Sequence, residues 1–241
     1  MTSIEPPRYI VAGSRPWNRE LYAERLAGLP GGWRFASSTE ELAALVKEGP
    51  PPRYVFFLHW SARVPDEWLD AHECVCFHMT DVPYGRGGSP LQNLIQRGHR
   101  QTMLTALRMA HELDAGPVYV KRPLSLEGNA EEIYLRAGRL SADMIAELVR
   151  TQPRPAEQSG EPVTFRRRRP EESAIPVNLP DLGQWHDFIR MLDAEGYPRA
   201  FIDHGGFRLE FSRAALYDGR VVADVKITRR HSGPSPTSPA S

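Results

Sequence analysis

The chain has 241 residues, 41% hydrophobic and 25% charged, enough for one large domain or one domain with a small appendage. Its 30 basic and 30 acidic side chains cancel, which removes any general electrostatic pull toward nucleic acid or anionic membranes. No apolar run approaches the roughly 18–20 residues of a membrane-spanning helix.

Met1 to Arg8 lacks the basic-then-apolar pattern of a signal peptide. Tyr9-Ile10-Val11-Ala12 reads as a first strand closed by the turn Gly13-Ser14-Arg15-Pro16. A helix follows with Leu21 and Leu26, stopped at Gly28, and Trp33-Arg34-Phe35 suits a second strand. Ser38 opens a second helix carrying Leu42, Leu45 and Val46, and Pro50-Pro51-Pro52 breaks the chain. Tyr54-Val55-Phe56-Phe57-Leu58 and Cys74-Val75-Cys76-Phe77 are continuously apolar, as strands covered on both faces are. The two cysteines are expected to face opposite sides and stay unpaired, and a reducing cytoplasm fits. Strand-favouring residues recur over 102–109 and 118–121. Ala130 to Arg150 is the clearest helix, with Ile133, Ala137, Leu140, Met144 and Leu148 on one stripe, Asn129 as N-cap and Glu132 three residues later.

Residues 151–164 have the composition of a linker, and 165–228 form a small α+β unit. In that unit Asp181 and Gln184 cap a helix carrying Trp185, Phe188, Ile189 and Leu192. The alternating strands 207–211 and 223–227 follow, with turn signals at His204-Gly205-Gly206 and Asp218-Gly219. Residues 229–241 are Ser/Pro-rich and expected to be a disordered tail. Strands alternating with helices over 1–150 imply a Rossmann-like, open, mostly parallel α/β sheet with a small C-terminal α+β appendage.

Chemistry concentrates between Cys76 and Pro90. His78 stands at the end of an apolar strand, followed by a Gly-rich loop and a helix beginning near Leu91. Open parallel sheets bind ligands beyond the carboxyl ends of their strands. No G-x-G-x-x-G follows the first strand, and no P-loop is present. The remaining histidines show no metal-ligand spacing, and no metal is assigned. Arg166 to Arg169 suits either phosphate or pairing with Glu171 and Glu172.

The ordered set His78, Pro83, Arg86-Gly87, Pro90, Thr105 and Leu113-Asp114-Ala115-Gly116 resembles the 10-formyltetrahydrofolate-dependent formyltransferases over about residues 10–149, and more weakly over 165–227. The family includes methionyl-tRNA, glycinamide ribonucleotide and sugar-nucleotide enzymes. The run from His78 to Asn93 is most similar to sugar-nucleotide N-formyltransferases of bacterial amino-sugar pathways, including pseudaminic-type ones. The resemblance implies His78 and Asp114 as catalytic residues. It also implies Ala62, Arg63, Val64 and Asp114 as contacts of 10-formyltetrahydrofolate, and Arg86 and Gly87 on the substrate side. The family asparagine two residues before the histidine is Cys76 here. A thiol is a weak donor, so Asn93 takes over the amide's task, or His78 carries more of the chemistry, or the chain is inactive. The acceptor implied is a nucleotide-linked amino sugar; another amine (initiator methionyl-tRNA or a hydroxylated amino acid) and a non-catalytic folate- or nucleotide-binding module are the rivals. Neither membrane nor nucleic acid is an expected partner, while apolar residues around the appendage hairpins point to self-association as a homodimer.

Overall fold

The computed structural model describes residues 6–230, so the N-terminal leader question and the proposed disordered tail lie largely outside the described residues. A six-stranded sheet forms the centre. Its strands are β1 (Arg8–Gly13), β2 (Gly32–Ala36), β3 (Tyr54–Leu58), β4 (Cys74–His78), β6 (Gln101–Arg108) and β7 (Val118–Ser125), in the order β2-β1-β3-β4-β6-β7. The first four are parallel, and β6 and β7 turn antiparallel.

Side-chain alternation explains why β1 and β3 must be apolar at every position. Tyr9 and Val11 enter one core with Phe56, whereas Ile10 and Ala12 enter the other with Val55 and Phe57. Each fully buried side chain of this size stabilises the fold by about 1.5–3 kcal/mol. The larger core lies under α1 (Pro16–Leu21) and α5 (Ala130–Thr151); the smaller takes Leu42 of α2 (Thr39–Lys47) and Trp68 of α3 (Asp66–Ala71). The Asn129–Glu132 capping box forms as expected, with Glu132 N–H donating to Asn129 Oδ1 at 2.9 Å and Asn129 N–H to Glu132 Oε2 at 2.8 Å.

Cys74 and Cys76 do not face opposite sides. Positions i and i+2 of a strand share a face, and both cysteines join the smaller core as free thiols.

The segment read as a linker returns to the sheet. Ala156 exchanges two backbone hydrogen bonds with Val118, at 2.7 and 2.9 Å. Beyond it, β8 (Val163–Phe165) pairs in parallel with β5 (Tyr84–Gly87), making a strand of what reads as a loop. Gly87 makes this pairing possible: its φ is 101°, and a Cβ there would collide with the Phe165 carbonyl. Helix α4 (Pro90–Gln96) follows β5.

Residues 182–229 fold as expected into a helix and an antiparallel sheet, with an unpredicted first strand. Here α6 (Leu182–Arg190), capped by Asp181, packs on β9 (Ala200–His204), β10 (Phe207–Tyr217) and β11 (Arg220–Arg229), in the order β11-β10-β9. The β10–β11 hairpin turns through Asp218-Gly219, where Gly219 has a φ of 68°.

Candidate active site

Strand β4 delivers His78 to the carboxyl edge of the sheet, between the parallel neighbour β3 and the antiparallel neighbour β6, where it lies opposite Thr105. The imidazole is 8% exposed. Its Nε2 lies 2.8 Å from the Gly85 carbonyl and its Nδ1 3.5 Å from Asp114 Oδ2. Both ring nitrogens thus face oxygens, Nε2 at hydrogen-bond distance and Nδ1 at a longer contact. Thr80 also donates to the Gly85 carbonyl, at 3.2 Å, and Thr105 donates to the Thr80 carbonyl at 2.7 Å. These bonds fix the turn between β4 and β5.

Asp114 has a φ of 54°, in the left-handed region that Asp tolerates better than most residues. Its Oδ2 accepts the Gly87 N–H at 2.9 Å, and its side chain is 10% exposed. Gly116 lies so close to the Arg108 carbonyl that a Cβ could not fit, which lets the loop fold back under Asp114. The sequence-predicted His78, Asp114, Arg86 and Gly87 therefore converge. The network closes through Gln158, whose Oε1 accepts from Arg86 Nε at 3.0 Å and Nη2 at 2.8 Å. Its Nε2 donates to the Asp114 and Gly116 carbonyls, both at 2.8 Å. Gln158 was hidden in the presumed linker, and no local pattern marks it.

Asn93 turns its side-chain amide to the backbone. Its amide nitrogen donates to the carbonyls of Gly88 at 3.2 Å, Ser89 at 3.0 Å and Arg166 at 3.2 Å, and its Oδ1 accepts from Arg97 at 2.9 Å. With both amide hydrogens engaged, it clamps the end of β5 to the chain leaving β8. Cys76 sits one strand repeat before His78, and burial, reinforced by the Asp114 charge, pushes its thiol well up. It remains a protonated, packed sulfhydryl and not a nucleophile.

The loop after β3 carries Ala62, Arg63 and Val64. Arg63 turns to Asp66 at 3.2 Å, Val64 is buried in the smaller core, and Ala62 is exposed. Of the three, Arg63 presents the most side chain, 82% of it exposed.

A second cluster joins the ends of β1 and β3 to the C-terminal unit. His59, at a φ of 52°, hydrogen-bonds through Nε2 to the Tyr197 hydroxyl and packs edge-on against Tyr134 at 4.4 Å. Arg15 lies over the Tyr197 ring at 4.7 Å. Burial, with help from the Arg15 charge, lowers the His59 pKa to about 4, so the ring is neutral. Ser14, Arg15, Arg19, Phe35 and Ser37 line an open groove of about 440 Å³ beside it. The arginine run pairs at least partly within the chain, Arg166 with Glu172 at 2.5 Å and Arg168 with Gln96 at 3.0 Å. Among the described residues no cluster of three His, Cys, Asp or Glu could hold a metal ion, and no helix is long and apolar enough to cross a membrane.

The chain thus joins a mostly parallel sheet, with His78 and Asp114 paired at its carboxyl edge, to a helix and three antiparallel strands. The family described as methionyl-tRNA formyltransferase, C-terminal domain, matches residues 170–228. A solved structure of a methionyl-tRNA formyltransferase from Clostridium thermocellum is 42% identical and superimposes with a TM-score of 0.86, covering 93% of this chain and 100% of that one. A methionyl-tRNA formyltransferase from Rickettsia massiliae is 28% identical over 138 residues, which is 55% of this chain but 43% of the relative, so the match spans less than half of that relative's length. A sugar N-formyltransferase from a Shewanella species shares the fold at 14% identity, with a TM-score of 0.59 over 94% of this chain and 99% of that one. The chain belongs to the formyltransferase family.

Proposed function

We propose that this protein transfers a formyl group from 10-formyltetrahydrofolate to the amine of a small acceptor, and that the acceptor is a nucleotide-linked amino sugar, for instance a UDP-4-amino sugar of a pseudaminic-type pathway. The observation that carries the reading is the buried His78–Asp114 pair at the carboxyl edge of β4, with each ring nitrogen facing an oxygen. Adding an amine to a formyl carbonyl builds negative charge on the carbonyl oxygen and releases a proton. His78 Nδ1, whose 3.5 Å contact with Asp114 is longer than a hydrogen bond, would turn to that oxygen as the donor, a contact worth a few kcal/mol when preorganised. Asp114 supplies the acceptor for the proton the amine loses; as the tetrahedral adduct collapses, the bond from the formyl carbon to the donor's nitrogen breaks, and that proton can pass to the departing nitrogen.

The residues present fit a reduced folate as formyl donor. The loop at Ala62, Arg63 and Val64 and the left-handed turn at Asp114 would hold the pterin, and the bound donor supplies the activated one-carbon group. Arg86 and Gly87 form the acceptor side of the pair. The groove at Arg15 and Arg19, which Glu20 also lines, offers guanidinium donors to a diphosphate. A cytoplasmic setting suits this reading, because both cysteines are free thiols.

Initiator methionyl-tRNA is the second reading, favoured by the names of the relatives in sequence. Against it stand the zero net charge and the pairing of C-terminal arginines with carboxylates: Arg208 with Asp203, Arg213 with Asp224, and Arg199 with Asp193. Formyl transfer measured in parallel on UDP- and dTDP-linked amino sugars and on methionyl-tRNA tests the choice. Turnover of an amino sugar with none of the tRNA is expected. Turnover of the tRNA alone would replace the acceptor, and absence of any turnover together with folate binding would favour a binding module.

A further inference from the structure

One side chain on the returning segment touches both halves of the site. Ala156 pairs antiparallel with Val118, and that register carried on by two residues sets Gln158 opposite Gly116. Gln158 is half-buried and polar, so its place is not explained by an apolar core. Its amide makes four hydrogen bonds: Nε2 donates to the carbonyls of Asp114 and Gly116, and Oε1 accepts from Nε and Nη2 of Arg86.

Those four bonds use both amide hydrogens and both lone pairs of the oxygen. They also specify the residue. A flipped amide would set donors against the guanidinium and an oxygen against two carbonyls. A carboxylate satisfies Arg86 but not the carbonyls, an ammonium does the reverse, and asparagine is one methylene too short to span both sides.

What the amide holds is the strained part of the loop. Asp114 has a φ of 54°, a conformation that residues other than glycine populate sparsely. Among the described residues, the Gln158 amide is the one donor to the Asp114 and Gly116 carbonyls. The Asp114 carboxylate leaves the same turn to lie 3.5 Å from His78 Nδ1 and to accept the Gly87 N–H at 2.9 Å.

We infer that Gln158 is a positioning residue for the reaction. Through the two carbonyls it holds the left-handed turn that aims the Asp114 carboxylate at His78, and through Arg86 it fixes the acceptor side. The kinetic consequence rests on formyl transfer by His78 and Asp114 as proposed; the structural one rests on the hydrogen bonds. A shift of the carboxylate by about 1 Å is enough to cost on the order of 100-fold in rate.

Variants of the full chain separate the two arms, assayed with 10-formyltetrahydrofolate and whichever acceptor turns over, a UDP-4-amino sugar or methionyl-tRNA. Gln158→Ala removes both arms and should lower kcat by about 10–100-fold and raise the acceptor KM several-fold. Gln158→Glu keeps a partner for Arg86 but sets a bare oxygen against the carbonyls. It should lower kcat to a similar degree with the acceptor KM near the wild-type value. In an Asp114→Asn background, Gln158→Ala should lower kcat by less than about 3-fold, since the carboxylate it positions is gone. Losses that multiply in full across the two backgrounds, or a wild-type kcat in Gln158→Glu, would overturn the positioning role.

Amide hydrogen exchange reads the geometry without turnover. Gly87 N–H should lose protection by at least about 10-fold in Gln158→Ala, while Gly88 N–H, which donates to the Phe165 carbonyl at 3.0 Å, keeps its own. Unchanged exchange at Gly87 would overturn the role, and equal loss at Gly88 would reduce Gln158 to a structural tie of β5 and overturn it as well. Selective loss at Gly87 in a chain that turns over no acceptor would uphold the role of Gln158 and remove the proposed reaction instead.

Discussion

Replacing Asn93 by alanine separates a structural clamp from a catalytic donor. The side-chain amide is shared among three carbonyls, and Ser89 O also receives the Asn93 backbone N–H at 3.1 Å. The carbonyls of Gly88 and Arg166 therefore bear most of the loss. Gly88 O and Arg166 O lie beside a buried side chain, and each unsatisfied acceptor costs about 1–3 kcal/mol, so a total of about 2–6 kcal/mol is expected. In a chain of this size that lowers the melting temperature by about 4–24 °C. Formyl transfer under single-turnover conditions, well below the new melting temperature, should fall less than about 10-fold, because the side chain points at backbone and not at the reacting carbonyl. Loss of an oxyanion donor would read the other way, with turnover down by about 100-fold or more and stability nearly unchanged. That pattern would refute the clamp.

His78→Ala and Asp114→Asn should each lower turnover by at least about 100-fold with the fold retained, as near-UV circular dichroism would show. Cys76→Ala should cost on the order of 1 kcal/mol from lost packing and leave the chemical step nearly intact. Cys76→Asn should destabilise without raising turnover, since a buried amide without partners is costly; a gain of about 100-fold would mean that the chain lacks a needed donor. A reduced-folate analogue should raise the melting temperature of the unliganded protein through linkage, which calorimetry can check against folate-free buffer. His59 sets a pH dependence: with its folded pKa near 4 and an unfolded value near 6.5, the unfolded chain binds the extra proton between those values. Stability should be full above about pH 6.5 and fall by on the order of 2–3 kcal/mol toward pH 4, a slope that His59→Asn removes.

Continuous apolar runs at β1, β3 and β4 made the parallel core legible, because residues buried on both faces leave no polar alternation. The stripe and capping box of α5 made that helix equally plain. Helix α3 escaped because its six residues include no fully buried side chain and so no amphipathic signal. Strand β5 escaped for another reason: two of its four residues are glycine, and its partner β8 lies some 80 positions away in a Pro-rich stretch. The cysteines were assigned to the wrong faces by a misapplied period, which the shared core corrects. At the site, motif spacing carried His78, Asp114 and Arg86-Gly87, whereas Gln158 and Tyr197 enter through long-range returns of the chain that no window of sequence contains. Asn93 was found by its residue type, but only its three carbonyl partners reveal its work.

The return of residues 152–165 across the catalytic unit has an engineering consequence. A fragment ending at residue 150 would keep every strand of the central sheet, yet it would lose Gln158, and with it the bonds that align Arg86 and support the Asp114 turn. It would also strip β5 of its pairing strand. Excision of the C-terminal unit, or its exchange with that of a relative, must therefore cut beyond Phe165 to keep the network around Asp114 and β5 intact.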